Sequence, residues 1–335
     1  MTSATSSSSP RRLLHTILML CVTGAAVLGI VALLLHVKTL SLEIQTLERE
    51  VAKLSVEADA YDRSFCSTTA AQTKEATTTH FSLENNGRVR TYQVHTPANY
   101  DPTIRYPVIV SFDGIDGSGV RMEKYSGINE LPVIAVYPDS LPGKAGFTAW
   151  QGAPYSLDGD YDVAFIRKMT QALPSQYCID SARVFAVGMS NGGGFAMIAA
   201  CRLSDTFAAV ASIAGAYYSS CEDASRQPSV LAIHSKGDKQ VPFTGSRVKK
   251  LPQVVEWAER QAKDRDCKQA TKNNAEQGAV QYDWVACEDG SIVRLLALQN
   301  RGHGWVSLPG DMQYATPTTA GYIWKFFESS VYGRS

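Results

Sequence analysis

Apolar positions recur with different periods in successive parts of the chain. From Thr16 to Leu35 there is no period: twenty uncharged, mostly apolar residues follow one another. At about 1.5 Å per helical residue this run spans roughly 30 Å, the thickness of a bilayer core. It predicts a transmembrane anchor over residues 13–37. A secretory signal has a shorter apolar region that ends in a small-x-small cleavage site. Here Gly24, Ala25 and Ala26 lie in mid-run, and Leu20 before Cys21 is too large for a lipoprotein site. Beyond the anchor the spacing alternates between four and three, at Leu40, Ile44, Leu47, Val51, Leu54, Ala58 and Tyr61. Read as heptads, Ile44, Val51 and Ala58 take a positions, with Leu or Tyr at d. That pattern predicts a helical stalk over 38–61, as a parallel two-stranded coiled coil or as a single amphipathic helix lying on the body. Glu43, Glu50 and Glu57 at g face Ser41, Glu48 and Ser55 at e. No basic partner rewards pairing there, so a homodimer through the stalk is expected to be weak. Residues 62–79 read as a polar, Thr-rich linker.

From residue 80 the pattern changes to short apolar runs separated by turn residues. His80–Glu84 and Arg88–Thr96 read as strands joined by the hairpin signal Asn85-Asn86-Gly87. Pro107–Phe112, Pro132–Tyr137, Ala182–Val187, Ala208–Ala214, Ser229–His234 and Ser291–Leu298 read as further strands. Asp162–Leu173, Gly193–Ala200, Val254–Lys263 and Ala320–Val331 read as helices. An opening hairpin followed by alternating strands and helices predicts a mostly parallel sheet with helices on both faces. Ligands bind such sheets outside the carboxyl ends of the strands.

Composition adds little to the body and more to the ends. The chain has 335 residues, with 32 Lys+Arg against 32 Asp+Glu. That balance, without a basic run carrying interleaved aromatics, argues against a nucleic-acid partner. Residues 1–12 are Ser/Thr-rich and end in Pro10-Arg11-Arg12. Positive charge at the start of the anchor places this tail in the cytoplasm and the body outside, at the cell envelope. Of seven cysteines, Cys21 lies in the anchor run. The other six are Cys66, Cys178, Cys201, Cys221, Cys267 and Cys287, an even set that suits up to three disulfides on an exported domain. Cys267 with Cys287 is the preferred pair, because both flank one irregular segment. No spacing matches a metal site, and no cofactor is expected.

The chemistry centres on Gly188-Met189-Ser190-Asn191-Gly192. This G-x-S-x-G follows a predicted strand and precedes a predicted helix, the context of a nucleophile elbow. A serine needs a base, and the base needs an orienting carboxylate. In this arrangement the chain order is Ser, then acid, then His. Of the two later histidines, His303 sits between Gly302 and Gly304 after the last predicted strand. His234 lies before the acid and reads as structural. Asp238 follows a predicted strand in the slot of the acid. The oxyanion hole is expected from the backbone N–H groups of Asn191 and of Ile115 or Gly114 in the loop Phe112-Asp113-Gly114-Ile115-Asp116-Gly117. Trp150 and Trp305 are candidates for the wall of a substrate site.

Residues 80–330 resemble the polyhydroxybutyrate-depolymerase and feruloyl-esterase group of α/β-hydrolases, similar to carbohydrate esterase family 1. The resemblance rests on Tyr106-Pro107-Val108-Ile109-Val110, Asp162-Val163-Ala164-Phe165-Ile166, Gly188 through Gly194, Asp238 before Val241-Pro242-Phe243, and Gly302-His303-Gly304-Trp305. It implies an α/β-hydrolase fold over 80–335 and nucleophile, acid and base at Ser190, Asp238 and His303. Two positions depart from the family pattern. Asp113-Gly114 replaces His-Gly in the oxyanion loop, which makes Asp113 a candidate substrate contact. His234-Ser235 replaces His-Gly before the acid. The expected function is a membrane-tethered extracytoplasmic serine esterase acting on an acylated glycolipid, polysaccharide or other ester of the envelope. An acyltransferase with the same three residues, and a non-catalytic stalked scaffold or adhesin, are the alternatives.

Overall fold

The computed structural model describes residues 33–47, 49–50, 66, 71–144, 146–219, 227–275, 278–306, 308 and 318–332. The expected cytoplasmic tail, most of the expected anchor and the 51–61 end of the expected stalk lie outside the described residues. Among the described residues, no helix is long and apolar enough to cross a membrane. The chain divides into two units, residues 1–64 and 65–335. In the first, residues 33–47 are one helix, α1, which runs through the expected anchor–stalk boundary without a break. The heptad positions Leu40, Ile44 and Leu47 on it are exposed.

The second unit opens with β1 (Thr77–Asn85) and β2 (Arg88–Thr96), paired antiparallel with Asn85 opposite Arg88. Asn86 and Gly87 both have positive φ, 53° and 71°. These are the two left-handed positions that a type I′ hairpin turn demands. Next come β3 (Tyr106–Phe112), α2 (Gly119–Ser126), β4 (Ile134–Pro138) and a two-residue hairpin, β5 (Leu141–Pro142) with β6 (Thr148–Ala149). They are followed by α3 (Tyr161–Ala172), β7 (Ile179–Met189), α4 (Asn191–Arg202), β8 (Ala209–Ile213) and β9 (Ser229–Ser235). The chain ends with α5 (Val254–Asp264), β10 (Gln269–Asn274), β11 (Val280–Val285), β12 (Val293–Leu298) and α6 (Thr319–Tyr332).

Ten strands form one sheet in the order β1-β2-β4-β3-β7-β8-β9-β12-β11-β10. The pairings from β4 through β12 are parallel, and the strands beyond them at both edges are antiparallel. Alternate residues of each central strand enter opposite cores, as the two-residue period requires. Val108, Val110, Val184, Ala186, Val230 and Ala232 pack with α3, α4 and α5. Ile109, Phe185, Val187, Leu231 and Ile233 pack with α2 and α6. Both faces are therefore covered, which explains why these strands read as continuous apolar runs.

Three features differ from the expectation. The body begins before residue 80: β1 starts at Thr77, and Cys66 is bonded to Cys178 beside β7. The polar linker therefore contributes structure of its own. The helix α2 has no apolar stripe, since only Gly119, Met122 and Ser126 are buried; the Ser118 hydroxyl accepting from Arg121 N caps it. The edge strand β10 is exposed at every position, so no alternation marks it. Cys267 and Cys287 form the expected disulfide. Cys201 is also disulfide-bonded, and Cys221 lies outside the described residues.

Candidate active site

Ser190 stands between the end of β7 and the start of α4 with φ 57° and ψ −120°. A non-glycine residue held there costs of order 1–3 kcal/mol, so its surroundings must over-determine it. Three of those surroundings are glycines. A Cβ on Gly188 would meet the Gly192 carbonyl oxygen at 2.1 Å. One on Gly192 would meet the carbonyl oxygens of Phe112 and Asp113 at 2.3 Å, and one on Gly194 the Ala216 carbonyl oxygen at 2.1 Å. The glycines thus let the elbow close onto itself, onto the loop after β3 and onto the segment after β8.

The structure brings Ser190, His303 and Asp238 into one hydrogen-bonded line. His303 Nε2 lies 2.8 Å from Ser190 Oγ, and His303 Nδ1 lies 2.7 Å from Asp238 Oδ2. Asp238 is buried at the turn after β9, where its Oδ1 accepts the N–H groups of Gln240 and Val241 at 2.9 Å. Burial opposes ionisation of this carboxyl. The hydrogen bonds from His303 and Val241 outweigh it and hold the group below the usual carboxylate range.

Ser235 has a role that no sequence signal announced, apart from its replacing a glycine of the family pattern. Its hydroxyl accepts from Arg301 N at 2.9 Å and from Gly237 N at 3.1 Å, and it donates to the Arg301 carbonyl. One side chain therefore ties the Asp238 turn to the loop carrying His303. His234 is fully buried, with Nε2 2.8 Å from the Val241 carbonyl oxygen and 3.5 Å from Asp238 Oδ2. It supports the acid turn and lies off the line of proton transfer, in keeping with a structural histidine.

The loop after β3 reaches the elbow through Gly114, whose absent Cβ would lie 3.3 Å from Ser190 Cβ. Gly114 N donates to Asp113 Oδ1 at 2.7 Å, so this N–H is already engaged. Ile115, exposed, lines the same cavity as Ser190. Asn191 N begins α4, at the helix end that favours developing negative charge.

None of the three expected substrate contacts, Asp113, Trp150 and Trp305, lines the cavity at Ser190. Asp113 is 1% exposed, and its carboxylate is filled by Gly114 N, Ser118 N, the Arg121 guanidinium and the Tyr125 hydroxyl. It organises the loop and presents no face to a ligand. Trp150 is also 1% exposed: it stacks on Phe195 at 4.8 Å, and its indole N–H donates to the Asp113 carbonyl oxygen at 3.0 Å. Its backbone is gripped by the Asn191 side chain, which accepts from Trp150 N at 2.8 Å and donates to Trp150 O at 3.2 Å. Trp305 packs its ring against Tyr125 at 5.9 Å and does not line the cavity at Ser190. That cavity has a volume of about 540 Å³. Its walls include Pro154, Tyr155, Ala216, Tyr218 and Val241, of which only Val241 stood in a motif singled out in the sequence.

Among curated relatives, "Probable feruloyl esterase C" of Aspergillus terreus is 26% identical over 259 residues, covering 76% of this chain and 88% of the relative. Feruloyl esterase C of Emericella nidulans is 30% identical over 178 residues, covering 51% of this chain and 63% of the relative. The acetyl xylan esterase of Aspergillus awamori superposes with TM-score 0.56 at 16% identity, covering 75% of this chain and 99% of that chain; it supports the fold alone. The Esterase family model matches residues 84–302, and this chain belongs to that family as a carboxylic ester hydrolase.

Proposed function

We propose that the chain hydrolyses its ester by an acyl-enzyme mechanism, with Ser190 as nucleophile, His303 as base and Asp238 as the carboxylate that orients it. The observation that carries this reading is the unbroken line from Asp238 through His303 to Ser190, at 2.7 and 2.8 Å, on a strained elbow. Ser190 Oγ attacks the carbonyl carbon while its proton passes to His303 Nε2. The N–H groups of Asn191 and Ile115 receive the developing oxyanion. His303 then returns the proton to the departing alcohol, which leaves the acyl group on Ser190. Water attacks that ester, gives its proton to His303, and the acid departs as Ser190 recovers its own.

The substrate in this reading is an acylated carbohydrate or glycolipid of the cell envelope, and the enzyme is held at the membrane by Thr16–Leu35 with its body outside. Relatives named for feruloyl and acetylxylan ester hydrolysis support the carbohydrate ester. The twenty-residue uncharged run supports the tether. The disulfides Cys66–Cys178 and Cys267–Cys287 support an oxidising compartment. The test is release of acetate from a nitrophenyl ester. Ser190→Ala is expected to lower kcat by about 10⁴–10⁶-fold and to abolish labelling by a fluorophosphonate. Undiminished turnover by that variant would exclude Ser190 as the nucleophile.

A further inference from the structure

The cavity at Ser190 shares the side chains of Tyr218 and Lys250 with a second cavity of about 370 Å³. Lys249 and Lys250 line the first; Arg247, Lys250 and Arg260 line the second. Among the described residues, no Asp or Glu lines either one. In a chain with 32 cationic and 32 anionic side chains, four cations with no carboxylate among the described lining residues of these two cavities mark a local excess of positive charge; Asp158 and Asp160 line a third cavity, which shares Lys250 with them. No ion pair among the described residues neutralises Arg247, Lys250 or Arg260, whereas Arg202, in a neighbouring cavity, is paired with Asp160 at 2.8 Å.

Arg247, Lys249 and Lys250 are displayed on a loop closed by backbone hydrogen bonds, and Arg260 stands on α5. Ser246 and Leu251 exchange both backbone hydrogen bonds at 2.9 Å, which pinches off the four residues between them. Within that turn Lys250 N donates to the Arg247 carbonyl at 3.2 Å, and Lys249 N to the Ser246 hydroxyl at 3.2 Å. Lys249 Nζ reaches the Gln240 carbonyl at 2.7 Å, fastening the turn beside the Asp238 segment. Fixed cations at the lip of a cleft raise the local concentration of an oppositely charged substrate. With the backbone already set, binding has to order only the side chains.

We propose that the second cavity is an anion subsite. The natural ester carries a phosphate or carboxylate group that lies among Arg247, Lys250 and Arg260 while its carbonyl reaches Ser190. This inference rests on Ser190 being the esterase nucleophile, and it narrows the substrate to an anionic acyl ester.

Three esters sharing one acyl group and one ring type test it: an acetylated hexose, an acetylated hexose phosphate and an acetylated hexuronic acid. At low salt, kcat/KM for at least one anionic ester is expected to exceed that of the neutral ester by about tenfold, mainly through KM. Which anionic ester leads decides between phosphate and carboxylate. The ratio should shrink toward one near 1 M salt, where the screening length is about 3 Å. The double variant Arg247→Ser with Arg260→Ser should bring the ratio to about one at low salt. Lys250→Asn is an independent variant, since Asn tolerates the left-handed backbone at φ 56°. It should lower the same ratio. A ratio is insensitive to loss of folded protein, so poor folding does not imitate this result. Equal rates for all three esters at low salt, or a preference that persists in both variants, overturns the subsite and leaves the esterase reading intact. Failure to hydrolyse any of the three while the nitrophenyl ester is still turned over overturns the subsite alone; failure on the nitrophenyl ester as well overturns both.

Discussion

His234 and Asp238 show how two buried titratable groups 3.5 Å apart respond to pH in separate windows. Burial lowers the pKa of His234, and the nearby Val241 carbonyl and Asp238 carboxylate do not recover it, so the folded imidazole binds a proton less readily than an unfolded one. In the unfolded chain a histidine takes up its proton at about pH 6.5. Below that pH the unfolded state binds more protons than the folded one, so stability falls as pH falls. His95 acts with the same sign: burial lowers its pKa against the opposing pull of Glu123. Asp238 behaves differently. Its depressed folded pKa contributes stability above the unfolded value of about 3.9, lost only as pH drops through the lower folded value. Urea midpoints are therefore expected to decline between about pH 6.5 and 5, before the Asp238 window is reached. His234→Gln, which keeps a donor for the Val241 carbonyl, should flatten part of that decline; an unchanged slope would exclude His234 as a source. At this scale the sequence exposed order and spacing but not exposure to solvent. Ser190, Asp238 and His303 stood out because turn glycines and chain order mark them. Trp150 and Asp113 misled because nothing local tells a cavity wall from a buried brace.

The loop between β3 and α2 is the element on which the proposed oxyanion site depends, and Asp113 is its organiser. Its Oδ1 accepts from Gly114 N and the Tyr125 hydroxyl, and its Oδ2 from Ser118 N and the Arg121 guanidinium. Removing that carboxylate frees four donors at once and releases the chain on which Ile115 sits. Asp113→Ala is expected to lower kcat about 10–100-fold with a smaller change in KM, which steady-state kinetics on a nitrophenyl ester would show. That is less than the 10²–10³ attached to losing an oxyanion donor outright, because the Ile115 amide remains on the chain. An unchanged kcat would mean that the loop holds its shape without Asp113. Elements with strong apolar periodicity were legible: the central strands and α3, α5 and α6 lie within a few residues of their expected places. Those stabilised by other means were not. Position 119 of α2 must be glycine because a Cβ there would meet the Tyr137 carbonyl oxygen at 2.3 Å, a tertiary demand that leaves no pattern. The strand β10 exists through pairing with β11, and its exposed polar residues carry no period.

For the molecule as a whole, the two described disulfides close loops of very different length. Cys267–Cys287 spans 20 residues, from the end of α5 past the β10–β11 hairpin. Cys66–Cys178 spans 112 residues and ties the chain ahead of β1 to the start of β7, enclosing the opening hairpin, β3, β4 and α3. In the chain-entropy account, a cross-link stabilises by restricting the unfolded ensemble, with a logarithmic dependence on loop length. That account gives about 5 kcal/mol for the long loop and about 3 kcal/mol for the short one. Ahead of β1 the chain is also held by backbone hydrogen bonds from Thr73 N to the Tyr100 carbonyl and from Asn99 N to the Lys74 carbonyl, both at 3.1 Å. Cys66→Ser with Cys178→Ser is therefore expected to destabilise the protein more than Cys267→Ser with Cys287→Ser, by on the order of 1–2 kcal/mol in urea unfolding. The catalytic line lies in neither loop's path of bonds to Ser190, because His303 and Asp238 are placed by β9, β12 and the Ser235 hydroxyl. Activity under native conditions should accordingly survive loss of the long bridge while its thermal midpoint falls. Equal destabilisation by the two pairs would show that native-state contacts around each bridge, and not loop length, set its contribution.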